Sequence, residues 1–164
     1  MTKTQAIYDC RQEKFGIDFT VDPIWCAWFS GFVAGEACFS INVRRNHGAS
    51  YSPTLSIGLR KDDLAILREI QSTLHCGKVY PHHDRAYQFV VNRFFDVLHI
   101  LVPVFDLYPI RNKKQSDYNI WRRAVMAVRD RYHLNGQAAQ LDTLISDLRA
   151  NRSFQTLEPM SQND

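Results

Sequence analysis

The sequence predicts an α+β domain: a four-stranded antiparallel sheet with helices on one face, in the order αββαββα, followed by further C-terminal helices. Three observations predict it. Asp22-Pro23 opens a helix, two pairs of segments alternate apolar and polar residues, and apolar residues at helical spacing return between and after those pairs. Hydrophobic residues make up 45% of the 164 and charged ones 23%, an ordinary globular balance that excludes disordered, collagen-like and coiled-coil classes.

The first helix starts with Asp22 as N-cap and Pro23 at the first position, where the missing N–H costs nothing, and is expected to run to about Ala34. Ile24, Trp25, Trp28, Phe29, Phe32 and Val33 make it apolar. A second stripe of small residues, Ala27, Gly31 and Gly35, recurs every four. Gly costs about 1 kcal/mol relative to Ala inside a helix, so two on one stripe call for a compensating close approach of another backbone. Packing against a strand of the same domain is the plainer explanation.

After Gly35, Phe39, Ile41 and Val43 share one parity while Ser40, Asn42 and Arg44 share the other. Leu55, Ile57 and Leu59 alternate in the same way with Thr54, Ser56, Gly58 and Arg60, so the two segments are expected to form a hairpin around residues 45–50. Asp62 or Asp63 then starts a helix with Leu64, Leu67, Ile70 and Leu74 on one face, closed near Cys76-Gly77 by a left-handed cap. A shorter hairpin follows, with Lys78, Tyr80 and His82 on one strand and Tyr87, Phe89 and Val91 facing inward from the other. Asn92 is the expected cap of a helix through Val97, Leu98 and Leu101 that Pro103 limits. Beyond Pro109 come a helix with Ile120, Trp121, Ala124, Val125 and Val128, and a last one over 137–152. The chain thus divides into an N-terminal extension (1–21), a core (22–131) and a C-terminal helix with a polar tail (132–164).

No apolar stretch approaches the roughly 18 residues of a membrane span, and residues 1–20 do not read as a signal peptide. Cys10, Cys26, Cys38 and Cys76 have neither zinc-site nor disulfide-scaffold spacing, which points to free thiols, mostly core filler, in a reducing intracellular compartment. His75, His83, His99 and His133 suggest no zinc site either. From Glu36 to Arg131 there are 15 Lys and Arg against nine Asp and Glu, whereas the whole chain carries a net charge of only +3. Concentrating positive charge in the middle suits a polyanionic partner, because Lys and Arg gain affinity by replacing condensed counterions.

The run Trp28-Phe29-Ser30-Gly31-Phe32-Val33-Ala34-Gly35-Glu36-Ala37-Cys38-Phe39 resembles the helix-to-strand motif of LAGLIDADG homing endonucleases. Leu59-Arg60-Lys61-Asp62-Asp63-Leu64 and Leu74-His75-Cys76-Gly77 resemble the second-helix boundaries of the same family, and the likeness extends from about Ile24 to Val128. Two positions depart from the pattern: Ala34 stands where the family commonly has an acid, and Ala37 where it commonly has Gly. Glu36 matches the family's metal-binding acid.

The resemblance implies a sequence-specific endonuclease of the single-motif type, a homodimer that hydrolyses both strands of double-stranded DNA at a long pseudo-palindromic site and leaves 3′ overhangs. Ala27, Gly31 and Gly35 would let two copies of the first helix pack across a two-fold axis, bringing both Glu36 carboxylates and both Gly35 carbonyls together. Carboxylates that close repel, so divalent cations are implied, Mg²⁺ with Mn²⁺ or Ca²⁺ in the same sites, held by Glu36 and Gly35. Lys61 resembles the residue that orders the attacking water. Lys113 and Lys114 both resemble the basic residue near the scissile phosphate, and the sequence does not choose between them.

The open sheet face is the expected DNA surface. Ser40, Asn42, Arg44, Thr54, Ser56, Arg60, Lys78, Tyr80, His82 and Gln88 lie on its parity, with Arg45, His47 and Arg85 on the hairpin loops reaching phosphates or flanking bases. Strands of ~10 residues at about 3.3 Å each track roughly one turn of duplex, so a dimer is expected to cover about 20 base pairs. Two rivals stand beside this reading. One is a DNA-binding regulator, or a maturase binding intron RNA, that keeps the fold and has lost the reaction. The other is an α+β interaction module with no nucleic acid partner.

Overall fold

The computed structural model describes residues 21–46 and 48–152. Cys10, most of the N-terminal extension, His47 and the tail from Ser153 lie outside the described residues.

Helix α1 (Pro23–Glu36) begins as expected, with Asp22 accepting from the Ile24 N–H at 3.3 Å and the Trp25 N–H at 3.2 Å. It runs two residues beyond Ala34 because the Ala37 N–H still donates to the Val33 carbonyl, continuing the helical ladder. Glu36 therefore closes the last turn rather than lying just past it. Strands β1 (Ala37–Arg44) and β2 (Ser50–Arg60) pair antiparallel from Ala37 opposite Ile57 to Arg44 opposite Ser50. A 3₁₀ turn (Lys61–Asp63) leads into α2 (Leu64–Leu74), and β3 (Lys78–Pro81) and β4 (Ala86–Val91) complete a sheet ordered β1-β2-β4-β3. The second hairpin thus docks β4 against β2.

Asp63 holds the N-cap position of α2 without a side-chain cap bond, and Asp62 pairs instead with Arg60 at 2.9 Å. The left-handed residue at the end of α2 is His75 (φ 48°) rather than Cys76-Gly77. Gly77 has its own reason to be glycine: φ is 77° and a Cβ would run into the Phe89 ring.

The next helix departs further from expectation. Helix α3 (94–107) is continuous through Pro103: Phe94–Asp96, a π-helical stretch Val97–Leu101, then Val102–Leu107. Arg93, not Asn92, is its N-cap, and its side chain makes no capping bond. Widening the turn to π geometry, with the Val102 N–H on the Val97 carbonyl, lets the helix pass a residue that has no N–H to give. Helices α4 (Lys114–Arg129) and α5 (Ala138–Arg152) follow.

Phe39, Ile41, Leu55, Ile57, Phe89 and Val91 bury one sheet face against the helices. At its centre the Phe39 ring meets those of Phe105, Tyr118 and Trp121 at 5.7, 5.6 and 5.1 Å. Trp121 also donates its indole N–H to the Ser40 carbonyl at 3.0 Å, covering the open edge of β1. Helix α5 buries Leu141, Leu144, Ile145 and Leu148 in the same core. Between α3 and α4, Asp106 accepts from the Tyr118 hydroxyl at 2.7 Å and forks with the Arg122 guanidinium at 2.8 Å. Cys26 and Cys76 are buried, but Cys38 is exposed, because β1 parity points it away from the core. No helix among the described residues is long and apolar enough to cross a membrane.

Candidate active site

Helix α1 presents two opposite faces. Cys26, Phe29, Ser30 and Val33 are buried, while Ala27, Gly31 and Gly35 are exposed and line the solvent side with Ile24 (80% exposed) and Trp28 (41%). A Cβ at Gly31 or Gly35 would meet nothing within 4 Å. The small residues therefore serve no close approach inside this chain, and the plainer explanation for the stripe, packing on a strand of the same domain, is corrected. An apolar helix face left open with large side chains beside it is the signature of a contact surface. A groove of about 390 Å³ runs along it, between Ala27, Gly31 and Ala34 on α1 and Leu107, Pro109 and Arg111 beyond α3.

The stripe ends at Glu36, whose side chain is exposed. Helix C-termini gather unpaired carbonyls and partial negative charge, and here the segment leading into α4 meets them. Lys114 donates its ammonium to the Ala37 carbonyl at 2.6 Å and to the Gly35 carbonyl at 3.3 Å, and Asn112 donates its side-chain amide to the Ala34 carbonyl at 2.9 Å. Of the two lysines the sequence left open, Lys114 lies at the Glu36 end of α1, half-buried, while Lys113 is the exposed N-cap residue of α4. Asn112 was missed: its only sequence signal is an Asn two residues before a helix start, a common turn pattern. Lys61 is exposed at the end of β2, its N–H on the Arg85 carbonyl at 2.9 Å. Since Ala37 pairs with Ile57, Lys61 lies about four strand residues, roughly 13 Å, further along β2, at the sheet end that carries Glu36.

The oxygens expected to hold a metal, those of Glu36 and the Gly35 carbonyl, adjoin in sequence at the end of α1 and are hard donors of the kind Mg²⁺ takes. Gly35 already accepts from Lys114, so its second lone pair is what a cation could use. Among the described residues no group of three or more His, Cys, Asp and Glu side chains is placed to hold a metal. Glu36 and the Gly35 carbonyl are by themselves too few protein oxygens to enclose a divalent cation.

Most of the outer sheet face is open, while at its β1 edge Arg152 of α5 donates to the Cys38 Sγ at 2.8 Å. Register sets its side chains in rows across the strands: Cys38, Ser56, Val90 and Lys78; Gly58, Gln88 and Tyr80; Arg60 and Ala86; Ser40 and Thr54; Asn42 and Ser52; Arg44 and Ser50. Asn42, Arg44, Arg60, Lys78 and Tyr80 are exposed, Ser40, Ser56 and Gln88 half-buried. His82 and Arg85 are exposed at the β3–β4 turn, where the rings of His82 and His83 lie 4.1 Å apart. Thr54 is the exception: it is 4% exposed, accepting from the Asn42 side chain and donating to the Ser52 carbonyl, both at 3.1 Å. The central strand packs it between neighbours and leaves little of it to a partner, whereas Ser50, Ser52 and Val90 share its parity and keep more of their surface open. Arg45 turns away to pair with Asp142 of α5 at 3.0 Å, drawn by a carboxylate that also accepts from Tyr51.

Fold and site define an α+β domain, a four-stranded antiparallel sheet with helices on one face, whose helix α1 ends on Glu36 with Lys114 and Asn112 bonded to the carbonyls on either side of it. The family model described as LAGLIDADG endonuclease matches residues 29–125, more than half of the chain, and the chain belongs to that family. It is 30% identical over 122 residues to an uncharacterized 50.9 kDa protein in ND4 intron 1 of Podospora anserina, covering 70% of this chain and 26% of that protein. To the probable intron-encoded endonuclease 2 of Neurospora crassa it is 28% identical over 108 residues, covering 65% and 23%. The chain thus spans about a quarter of the length of these relatives. Among solved structures, the LAGLIDADG meganuclease I-AabMI bound to uncleaved DNA superposes with a TM-score of 0.70 at 26% identity, covering 78% of this chain and 46% of that one. The homing endonuclease I-TnaI superposes at 0.69 and 24% identity, covering 77% and 94%.

Proposed function

We propose that this chain is a sequence-specific homing endonuclease that acts as a homodimer with divalent metal, cutting both strands of a pseudo-palindromic DNA site and leaving 3′ overhangs. The observation that carries the reading is the exposed stripe Ala27, Gly31 and Gly35 running into the exposed Glu36. A second copy packed on that stripe brings a second Glu36 to the two-fold axis. The oxygens of Glu36 and Gly35 from both copies would then hold Mg²⁺, or Mn²⁺ or Ca²⁺ in the same places. When bound, the metal supplies Lewis acidity toward the scissile phosphate and an activated water.

The remaining roles belong to side chains. Lys114, anchored on the α1 terminus, places its ammonium where charge grows on the phosphate oxygens, and Lys61 orders water from the end of β2. The outer sheet face follows the major groove: Asn42, Arg44, Arg60 and Gln88 offer amide and guanidinium groups to base edges, Val90 an apolar contact, and Lys78 and Arg85 charge for phosphates.

Selection of cleaved sites from a randomised plasmid library with Mg²⁺, run in parallel with Glu36→Gln, tests the reading. Linear product is expected from the wild type alone; wild-type rates from Glu36→Gln would overturn it. Ala34, in the place of the family's usual first acid, favours a second reading, a regulator or intron maturase of the same fold. That protein would bind nucleic acid with steep salt dependence and give no linear product.

A further inference from the structure

We infer that Asn112 is a positioning residue that joins the Glu36 end of α1 to the first turn of α4 and so fixes where the Lys114 ammonium stands. The inference rests on the role proposed above for Lys114. The side chain of Asn112 uses both ends of its amide: Nδ2 donates to the Ala34 carbonyl at 2.9 Å and Oδ1 accepts from the Lys114 N–H at 2.9 Å. Its carbonyl accepts from the Gln115 N–H at 2.9 Å, so main chain and side chain together hold the start of α4.

The two partners dictate the residue type. One side offers a carbonyl and needs a donor, the other an N–H and needs an acceptor, and turning the amide over would lose both bonds. Lys114 then bonds Gly35 and Ala37, so Asn112 and Lys114 fasten the chain on both sides of Glu36, at Ala34, Gly35 and Ala37. A long lysine side chain has many rotamers. Fixing its backbone against the very helix end it must serve restricts the ammonium to that end, whereas an unlinked α4 start would leave it to wander.

The test uses the full chain with Asn112→Ala and Asn112→Asp. The aspartate keeps the acceptor for Lys114 but has no donor for Ala34 and adds a negative charge there, so Asn112→Ala, which adds none, is the control for charge. Two readouts are taken: the rate of Lys114 acetylation by acetic anhydride relative to Lys113, without metal or DNA, and kcat against KM on the selected site with Mg²⁺. Both variants are expected to raise the Lys114 to Lys113 ratio and to lower kcat by about 10–100-fold, the cost of a misplaced reacting group, with KM within about twofold. An aspartate variant with wild-type ratio and wild-type kcat overturns the inference, as does a fall in kcat with the ratio unchanged. A Lys114→Met enzyme with full kcat would instead overturn the catalytic reading of Lys114, while the acetylation ratio still decides whether Asn112 positions it.

Discussion

The Lys114 ammonium lies 2.6 Å from the carbonyl oxygen of Ala37, so the first residue of α4 is fastened to the point where α1 becomes β1. Lys113, its neighbour in sequence, makes no such contact among the described interactions and stands exposed at the N-cap. Adjacent residues of like charge thus receive different surroundings from one helical step.

That difference predicts an asymmetry between the two lysines. Lys114→Met is expected to slow plasmid linearisation by about 10²–10³-fold, the scale of one lost charge-stabilising donor, and Lys113→Met by no more than a few-fold. Time courses on a selected site check both; equal losses would contradict the assignment.

At Gly31 the single chain and the dimer predict opposite outcomes. A side chain there meets no atom of its own chain at Cβ and replaces a poor helix former, so a lone subunit would gain about 0.5–1 kcal/mol. In a dimer it blocks the approach of the second α1. Gly31→Leu is expected to sediment as a monomer at concentrations where the wild type is dimeric, with an unfolding midpoint at high dilution no lower than wild type.

Alkaline stability carries the mark of Cys26. Burial, with Asp22 adding to it, pushes its thiol from 9.0 up to about 11. An unfolded chain releases this proton from about pH 9 while the folded one keeps it, so stability is full below pH 9 and falls as pH rises toward 11. The Tyr118 phenol, buried and hydrogen-bonded to Asp106, is raised as well and adds in the same direction above pH 10. Between pH 9 and 11, Cys26→Ala should lose less stability than the wild type in denaturant titrations; parallel curves would exclude the thiol.

Lys78 is exposed on the outer face, in one row with Ser56 and Val90. If that face meets DNA phosphates there, Lys78→Ala weakens binding to all sequences alike and reduces the slope of log K against log salt by about 1. Gln88→Ala should instead relax discrimination at one base pair, at about 1–3 kcal/mol. Fluorescence anisotropy over a salt series, on a selected site and a scrambled duplex, separates the two.

Much of the fold could be read from local chemistry. Asp22-Pro23 marks a helix start whatever follows, and the alternation of Phe39, Ile41 and Val43 with Ser40, Asn42 and Arg44 assigns β1 its two faces, because period two is a property of the strand itself. Pro103 misled because a proline's effect depends on whether the preceding turn can widen, which packing decides. Thr54 and Cys38 misled for different reasons: parity put Thr54 on the outer face but its neighbours cover it, whereas Cys38, expected with the other thiols in the core, follows β1 parity outward.

By itself, then, the sequence determined the order of elements, the polar sheet face and the glycine-striped helix ending on Glu36, since each is a periodicity or a cap written within a few residues. Only the tertiary structure decided that the stripe faces solvent, that Lys114 rather than Lys113 reaches the α1 terminus, and that Asn112 links them. Those contacts join residues 34–37 to residues 112–114. Which carbonyl a side chain meets across nearly eighty residues depends on how β1, β2 and the helices pack, not on any spacing along the chain.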